Sequence, residues 1–143
     1  MPLPLKRKFQ WERTLANRIW TARELTFAWG KFDCAIWTAD WIRDATGVDP
    51  AANYRGKYSD EAGAAAIFGS DLGAFAATIA AQIGAPEVRR TFARRGDIVF
   101  VDNGTPAGCL GVVNLCGQRA ACVMQKGMTL VRMERWRRAW QIG

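Results

Sequence analysis

The chain has no histidine among its 143 residues. Any mechanism that needs an imidazole as base, acid or metal ligand is therefore excluded within this polypeptide. Long apolar runs are lacking too, and nothing approaches the ~20 residues that cross a bilayer as a helix. A secretory signal puts charges first and follows them with ~7–15 apolar residues. The N-terminal MPLPLKRKFQ has the reverse order, its short apolar stretch broken by two prolines. The expectation is a cytosolic product without signal peptide or membrane span. Cysteine is sparse, at Cys34, Cys109, Cys116 and Cys122. Without an export signal these read as reduced thiols rather than two bridges. Acidic residues are the minority, 13 against 20 Lys and Arg, leaving a net charge of +7.

What is present is ordinary globular material. Half the residues are apolar and 23% charged, which is not the signature of disorder. A chain of this length fits one domain and buries roughly 68–70% of its unfolded surface.

The first half has helical period. Trp11, Leu15, Ile19 and Ala22 recur on one side of a segment from Trp11 to Glu24. From Cys34 to Ala45 the positions Cys34, Trp37, Trp41 and Ala45 repeat, with Asp33 as N-cap and Gly47 as the stop. Ser59 could cap an Ala-rich helix ending at Gly69, and Ser70 or Asp71 starts another that Gly84 and Pro86 close. The second half is strand-like. Val88 to Phe92, Asp97 to Asp102, Cys109 to Leu115, Ala120 to Gln125 and Met128 to Arg132 are short and rich in β-formers, with turn signals between them. Helices first and strands afterwards predict an α+β domain, the helices packed on one face of a small antiparallel meander. The stretch from Arg132 to Trp140 reads as an Arg- and Trp-dense tail whose Trp136 and Trp140 need a surface to rest on.

Chemistry concentrates in Phe27-Ala28-Trp29-Gly30-Lys31-Phe32-Asp33-Cys34-Ala35-Ile36-Trp37. Cys34 falls at the first turn of a well-capped helix, where converging N–H groups and the helix dipole stabilise an anion and lower a thiol pKa. The same donors could form an oxyanion hole. The bland alternative is a small buried hydrophobe that starts the stripe continued by Trp37 and Trp41.

This segment resembles the nucleophile motif of the NlpC-type cell-wall peptidases, papain-like cysteine enzymes. Ala93-Arg94-Arg95-Gly96-Asp97-Ile98-Val99-Phe100 looks like their second signature, Leu110-Gly111-Val112-Val113 like the strand opened by the catalytic histidine, and Gly127 like a later turn. Within that superfamily the chain is most similar to a family encoded in phage tail operons and prophages. Its pattern includes Thr46-Gly47-Val48-Asp49-Pro50, Arg55-Gly56-Lys57-Tyr58 and Ala139-Trp140. The resemblance spans Phe27 to the C-terminus. It implies an NlpC-like papain fold over 27–143, preceded by a basic arm and amphipathic helix over 1–26, within a single domain overall.

The resemblance makes Cys34 the candidate nucleophile and Asp33 a capping or orienting group. Trp29, Gly30 and Trp37 would line the old cleft, and Cys109 stands in the histidine's place. The third, orienting position falls near Ala121 or Cys122. Without the base, which typically contributes ~10²–10⁴ in rate, feeble hydrolysis at most is expected.

The resemblance implies a tail-tip component or assembly accessory of a phage or gene-transfer particle, docking onto tail hub proteins and located in the virion after assembly. The alternative is a peptidoglycan amidase or endopeptidase using Cys34. A third class, a basic nucleic-acid-associated protein, lacks any accompanying binding motif and is disfavoured. No cofactor is called for. Cysteine spacing unlike paired C-x-x-C argues against a metal site.

Overall fold

The protein is described for residues 4–143 by a computed structural model. Four helices precede the sheet: α1 (Trp11–Ala22), α2 (Cys34–Thr46), α3 (Glu61–Phe68) and α4 (Leu72–Ile83). Asp33 caps α2 by accepting the Ile36 N–H, and Gly47 ends it in the left-handed conformation at φ 84°. A cap of this kind contributes roughly 1 kcal/mol. Asp71 does the same for α4. The cap of α3 is Asp60, which accepts from the Gly63 N–H, and not Ser59. A carboxylate one residue further on satisfies the same donors and adds a charge that suits the helix dipole.

Six strands follow: β1 (Glu87–Val88), β2 (Ile98–Val101), β3 (Cys109–Val113), β4 (Arg119–Met124), β5 (Gly127–Arg132) and β6 (Trp136–Trp140). They form one antiparallel sheet in the order β1-β6-β2-β3-β4-β5. The meander β2 to β5 matches the sequence reading. Val88 to Phe92 does not, because only two residues pair with β6 before the chain turns into a 3-10 segment, Arg90–Phe92.

The larger correction concerns the tail. It is β6, inserted between β1 and β2, with Trp136 fully buried and Trp140 nearly so. Two tryptophans four residues apart on a regular strand would share a face. The ladder shifts register between Phe100 and Val101, pairing Phe100 with Arg138 and Val101 with Trp136. The extra residue, Arg137, reverses the alternation. Trp140 thus faces the helices while Trp136 faces the other side.

One face of the sheet, including Ile98, Leu110, Val112, Ala121, Val123 and Trp140, packs under Trp37, Trp41, Leu72 and Ala80 of the helices. The opposite face carries Val99, Val101, Cys109, Val113, Ala120, Cys122 and Trp136, and buries itself. It can do so only by curling. Trp136 Nε1 donates to the Val131 carbonyl at 3.1 Å, joining β6 to β5 although three strands separate them in the sheet.

The N-terminal arm belongs to the same body. Leu5 enters the helix-side core, the Lys8 N–H donates to Ala45 O at 2.7 Å, and Arg7 binds the carbonyls of Ile142 and Arg95 and the carboxylate of Asp97.

Candidate functional site

The loop before α2 is folded around one carboxylate. Asp33, 2% exposed, accepts from Ile36 N at 2.8 Å through Oδ1, and from Gly30 N at 2.8 Å and Tyr58 Oη at 2.5 Å through Oδ2. The turn is closed by the bridge between Ala28 and Phe32. Gly30 has φ +79°, and a Cβ there would approach Tyr58 O to 2.1 Å. Only glycine fits. Both carboxylate oxygens are thus engaged, and Asp33 could act as a base only by surrendering these bonds.

Directly after it, Cys34 opens α2 and is half-buried. It packs against both core clusters, its thiol adjoining that of Cys109, the first residue of β3. Cys109 in turn adjoins Cys122 of β4. The Cys109 thiol and burial push the Cys34 thiol well above its ordinary value. The first turn of a helix favours a thiolate, while the neighbouring sulfur and the loss of water favour the thiol, as in the reading of Cys34 as a small buried hydrophobe. Cys109 is likewise raised, with Cys122 the leading cause. Both thiols are thus pushed toward their protonated form, the reverse of what a thiol nucleophile needs.

The remaining positions fall as follows. Cys122 faces Cys109, while Ala121 pairs with Val112 and faces the helices. Trp37 is a core residue, 4% exposed, with Arg18 over its ring at 5.6 Å. Trp29 is half-exposed and stacks edge-on against Phe27 at 4.9 Å. All four cysteines are free, and Cys116 lies in the exposed β3–β4 turn with its thiol 2.7 Å from Asn114 Oδ1. Among the described residues no group of three or more Cys, Asp or Glu side chains is placed to hold a metal ion.

Sequence reading missed Tyr58 and Tyr54, which close the back of the site. Burial raises both phenols above their ordinary value, and both stack edge-on against Phe68 at 5.3 Å. The signal was there in Arg55-Gly56-Lys57-Tyr58. Arg55 grips Asp49 at 3.0 Å and Asp40 at 2.7 Å, so the segment containing Thr46-Gly47-Val48-Asp49-Pro50 anchors the loop that delivers Tyr58 to Asp33.

Residues 6–142 match the family described as a domain of unknown function, DUF6950, and the chain belongs to that family. No curated protein matches it.

Proposed function

For a member of the DUF6950 family, we propose a papain-like, NlpC-type scaffold that has lost its catalytic base and serves as a protein-docking component of a phage or prophage tail tip. The observation that carries this reading is the meeting of Cys34, first residue of α2, with Cys109, first residue of β3. In a thiol peptidase an imidazole would stand opposite the nucleophile and hold it as a thiolate. Here a second sulfur stands there, Asp33 is tied into the loop, and the polypeptide has no histidine to offer. The surroundings are kept in order by buried hydrogen bonds and aromatic packing, as a rigid docking piece requires.

The test is direct. Purified protein and its Cys34→Ala variant are incubated with peptidoglycan fragments, and released peptides and amines are quantified. No release from either is expected. Cleavage that disappears with the sulfur would overturn the reading and install the cysteine amidase or endopeptidase in its place. Copurification with tail hub proteins tests the setting separately, and absence from assembled particles would remove it.

A further inference from the structure

We propose that Cys34 and Cys109 form a redox site, at which hydrogen peroxide oxidises the two thiols to a reversible disulfide that ties α2 to β3. The two residues come from different layers of the fold. Cys34 is the first residue of α2 and Cys109 the first of β3, and both belong to the packing around Val99, Val113, Ala120 and Trp136. Their thiols adjoin, and both are free. Each is held from its own side. Asp33 fixes the first turn of α2 through Gly30, Ile36 and Tyr58, and Cys109 pairs with Val101 in the β2–β3 ladder. A pair so placed meets at an effective concentration that no dissolved thiol reaches.

Strand register selects the partner. Cys109 also adjoins Cys122, but Cys122 stands directly across from Gly111, two residues along β3 from Cys109. Diagonal neighbours of this kind lie ~7–8 Å apart, whereas a disulfide needs its Cα atoms within ~4.4–6.8 Å. The β3–β4 ladder maintains the wider spacing. Cys34 sits at a helix terminus outside that ladder, so no strand pairing keeps its sulfur from closing on Cys109. Cys116 is elsewhere, in the exposed β3–β4 turn with its thiol on Asn114 Oδ1. Exposure then orders the steps. Cys34 is half-buried, while Cys109 is 2% exposed and Cys122 fully buried, so Cys34 meets the oxidant first.

The Cys34 thiol gives up its proton and its sulfur attacks one peroxide oxygen. The O–O bond breaks, the departing hydroxide takes up that proton as water, and Cys34 becomes a sulfenic acid. The Cys109 sulfur then attacks the Cys34 sulfur. The S–S bond forms as the S–O bond breaks, and the hydroxide released takes the Cys109 proton as a second water. Two thiols have lost two electrons, and one hydrogen peroxide has been reduced to two waters. Burial and the neighbouring sulfur favour the protonated thiols, so the reaction is slow at neutral pH. A bridge between segments so far apart in the sequence restricts the unfolded chain, which makes the oxidised protein the more stable form. The site goes beyond the docking role, and its test does not depend on a tail.

The full chain carrying Cys116→Ser, which removes the exposed thiol, is treated with millimolar hydrogen peroxide, alkylated, digested with trypsin without reductant and mapped by mass. Peptides 32–43 and 96–119, which hold Cys34 and Cys109, should be recovered joined in most molecules and should separate after dithiothreitol. The oxidised protein should melt at least about 5 °C above the reduced one and return on reduction. Cys34→Ala in the same background, checked for a native circular dichroism spectrum, should abolish both changes. Peptide 96–119 joined instead to 120–126, which holds Cys122, would overturn the proposal. So would a bridge that forms only in urea, Cys34 driven to sulfinic acid with Cys109 still free, no bridge at all, or an oxidised protein that melts no higher. Failure to copurify with tail hubs would remove the tail setting while leaving this site standing.

Discussion

Gly111 of β3 stands directly across from Cys122 of β4, and the sulfur fills the space that a side chain on Gly111 would need. A Cβ at 111 would lie 2.4 Å from Cys122 Sγ and 3.0 Å from Ala121 O. Both residues are buried in a sheet packed on its two sides, so neither has room to retreat.

Gly111→Ala should therefore destabilise the fold by roughly 1–3 kcal/mol, the usual cost of overpacking a filled interior. Urea unfolding checks this, through a lower midpoint at unchanged slope. Cys122→Ala made in the same background removes the clash and should recover part of the loss. An unchanged midpoint in the single variant would mean that the β3–β4 ladder is more yielding than its burial indicates.

The raised thiols give the protein an alkaline weakness. Cys34 and Cys109 hold their protons in the folded state beyond the pH at which an ordinary thiol loses them. Their contribution to stability is complete below about pH 8.5, where the unfolded thiols ionise. Above that the unfolded chain sheds protons that the folded chain retains, and stability falls as pH rises. Burial of Tyr54 and Tyr58 adds the same sign of effect at higher pH. Unfolding free energy measured from pH 7 to 10 should decline, and decline less in Cys34→Ala. A flat profile would contradict the protonated pair.

Thr38 presents the opposite situation, a polar group with nothing to bind. It is 3% exposed, its hydroxyl has no hydrogen-bond partner, and it lines an apolar cavity of about 50 Å³ between α2 and α4. Thr38→Val keeps the shape and removes the stranded hydroxyl, so stability should rise by about 1 kcal/mol. Thermal melting checks it. A loss of stability would mean that the hydroxyl binds water in the cavity.

Much of this fold follows from local signals, and the exceptions have identifiable physical causes. Asp33, Gly47, Asp71 and Gly84 mark helix ends because their own side chain or backbone freedom satisfies the terminus. The meander is legible because each strand is bounded by a turn. The last strand is not, because Arg137 bulges out of the ladder and breaks the alternation that would announce β6. Five residues with Arg at positions 137 and 138 read as a charged tail whose tryptophans need some surface, and only the long-range partners β1 and β2 make that surface this domain's own sheet. The site divides the same way. Asp33 and Cys34 are neighbours in sequence and could be recognised together, whereas Tyr58 reaches Asp33 across 25 residues and Cys109 reaches Cys34 only through packing of α2 on β3. A helix terminus is a local feature and the opposing sulfur a tertiary one, so the sequence leaves open which of them governs the thiol.

Restoring the missing group tests the heart of that geometry. Cys109→His puts an imidazole on the first residue of β3, against the Cys34 sulfur. Cys109 is 2% exposed, so the larger ring carries an overpacking cost of roughly 1–3 kcal/mol, and circular dichroism must first show a native spectrum. In a folded variant an imidazolium replaces a neutral thiol as the neighbour of Cys34, which favours the thiolate and reverses the upward push. Each unit of pKa decrease multiplies the thiolate fraction at neutral pH by about ten. Alkylation of Cys34 at pH 7, followed by peptide mass mapping, should accelerate by at least that factor. Cys116, exposed in its turn and remote from the substitution, serves as the internal control and should react at an unchanged rate. An unchanged Cys34 rate in a natively folded Cys109→His protein would mean that the two side chains do not face one another, and the reading of this site as a thiol centre without its base would fall with it.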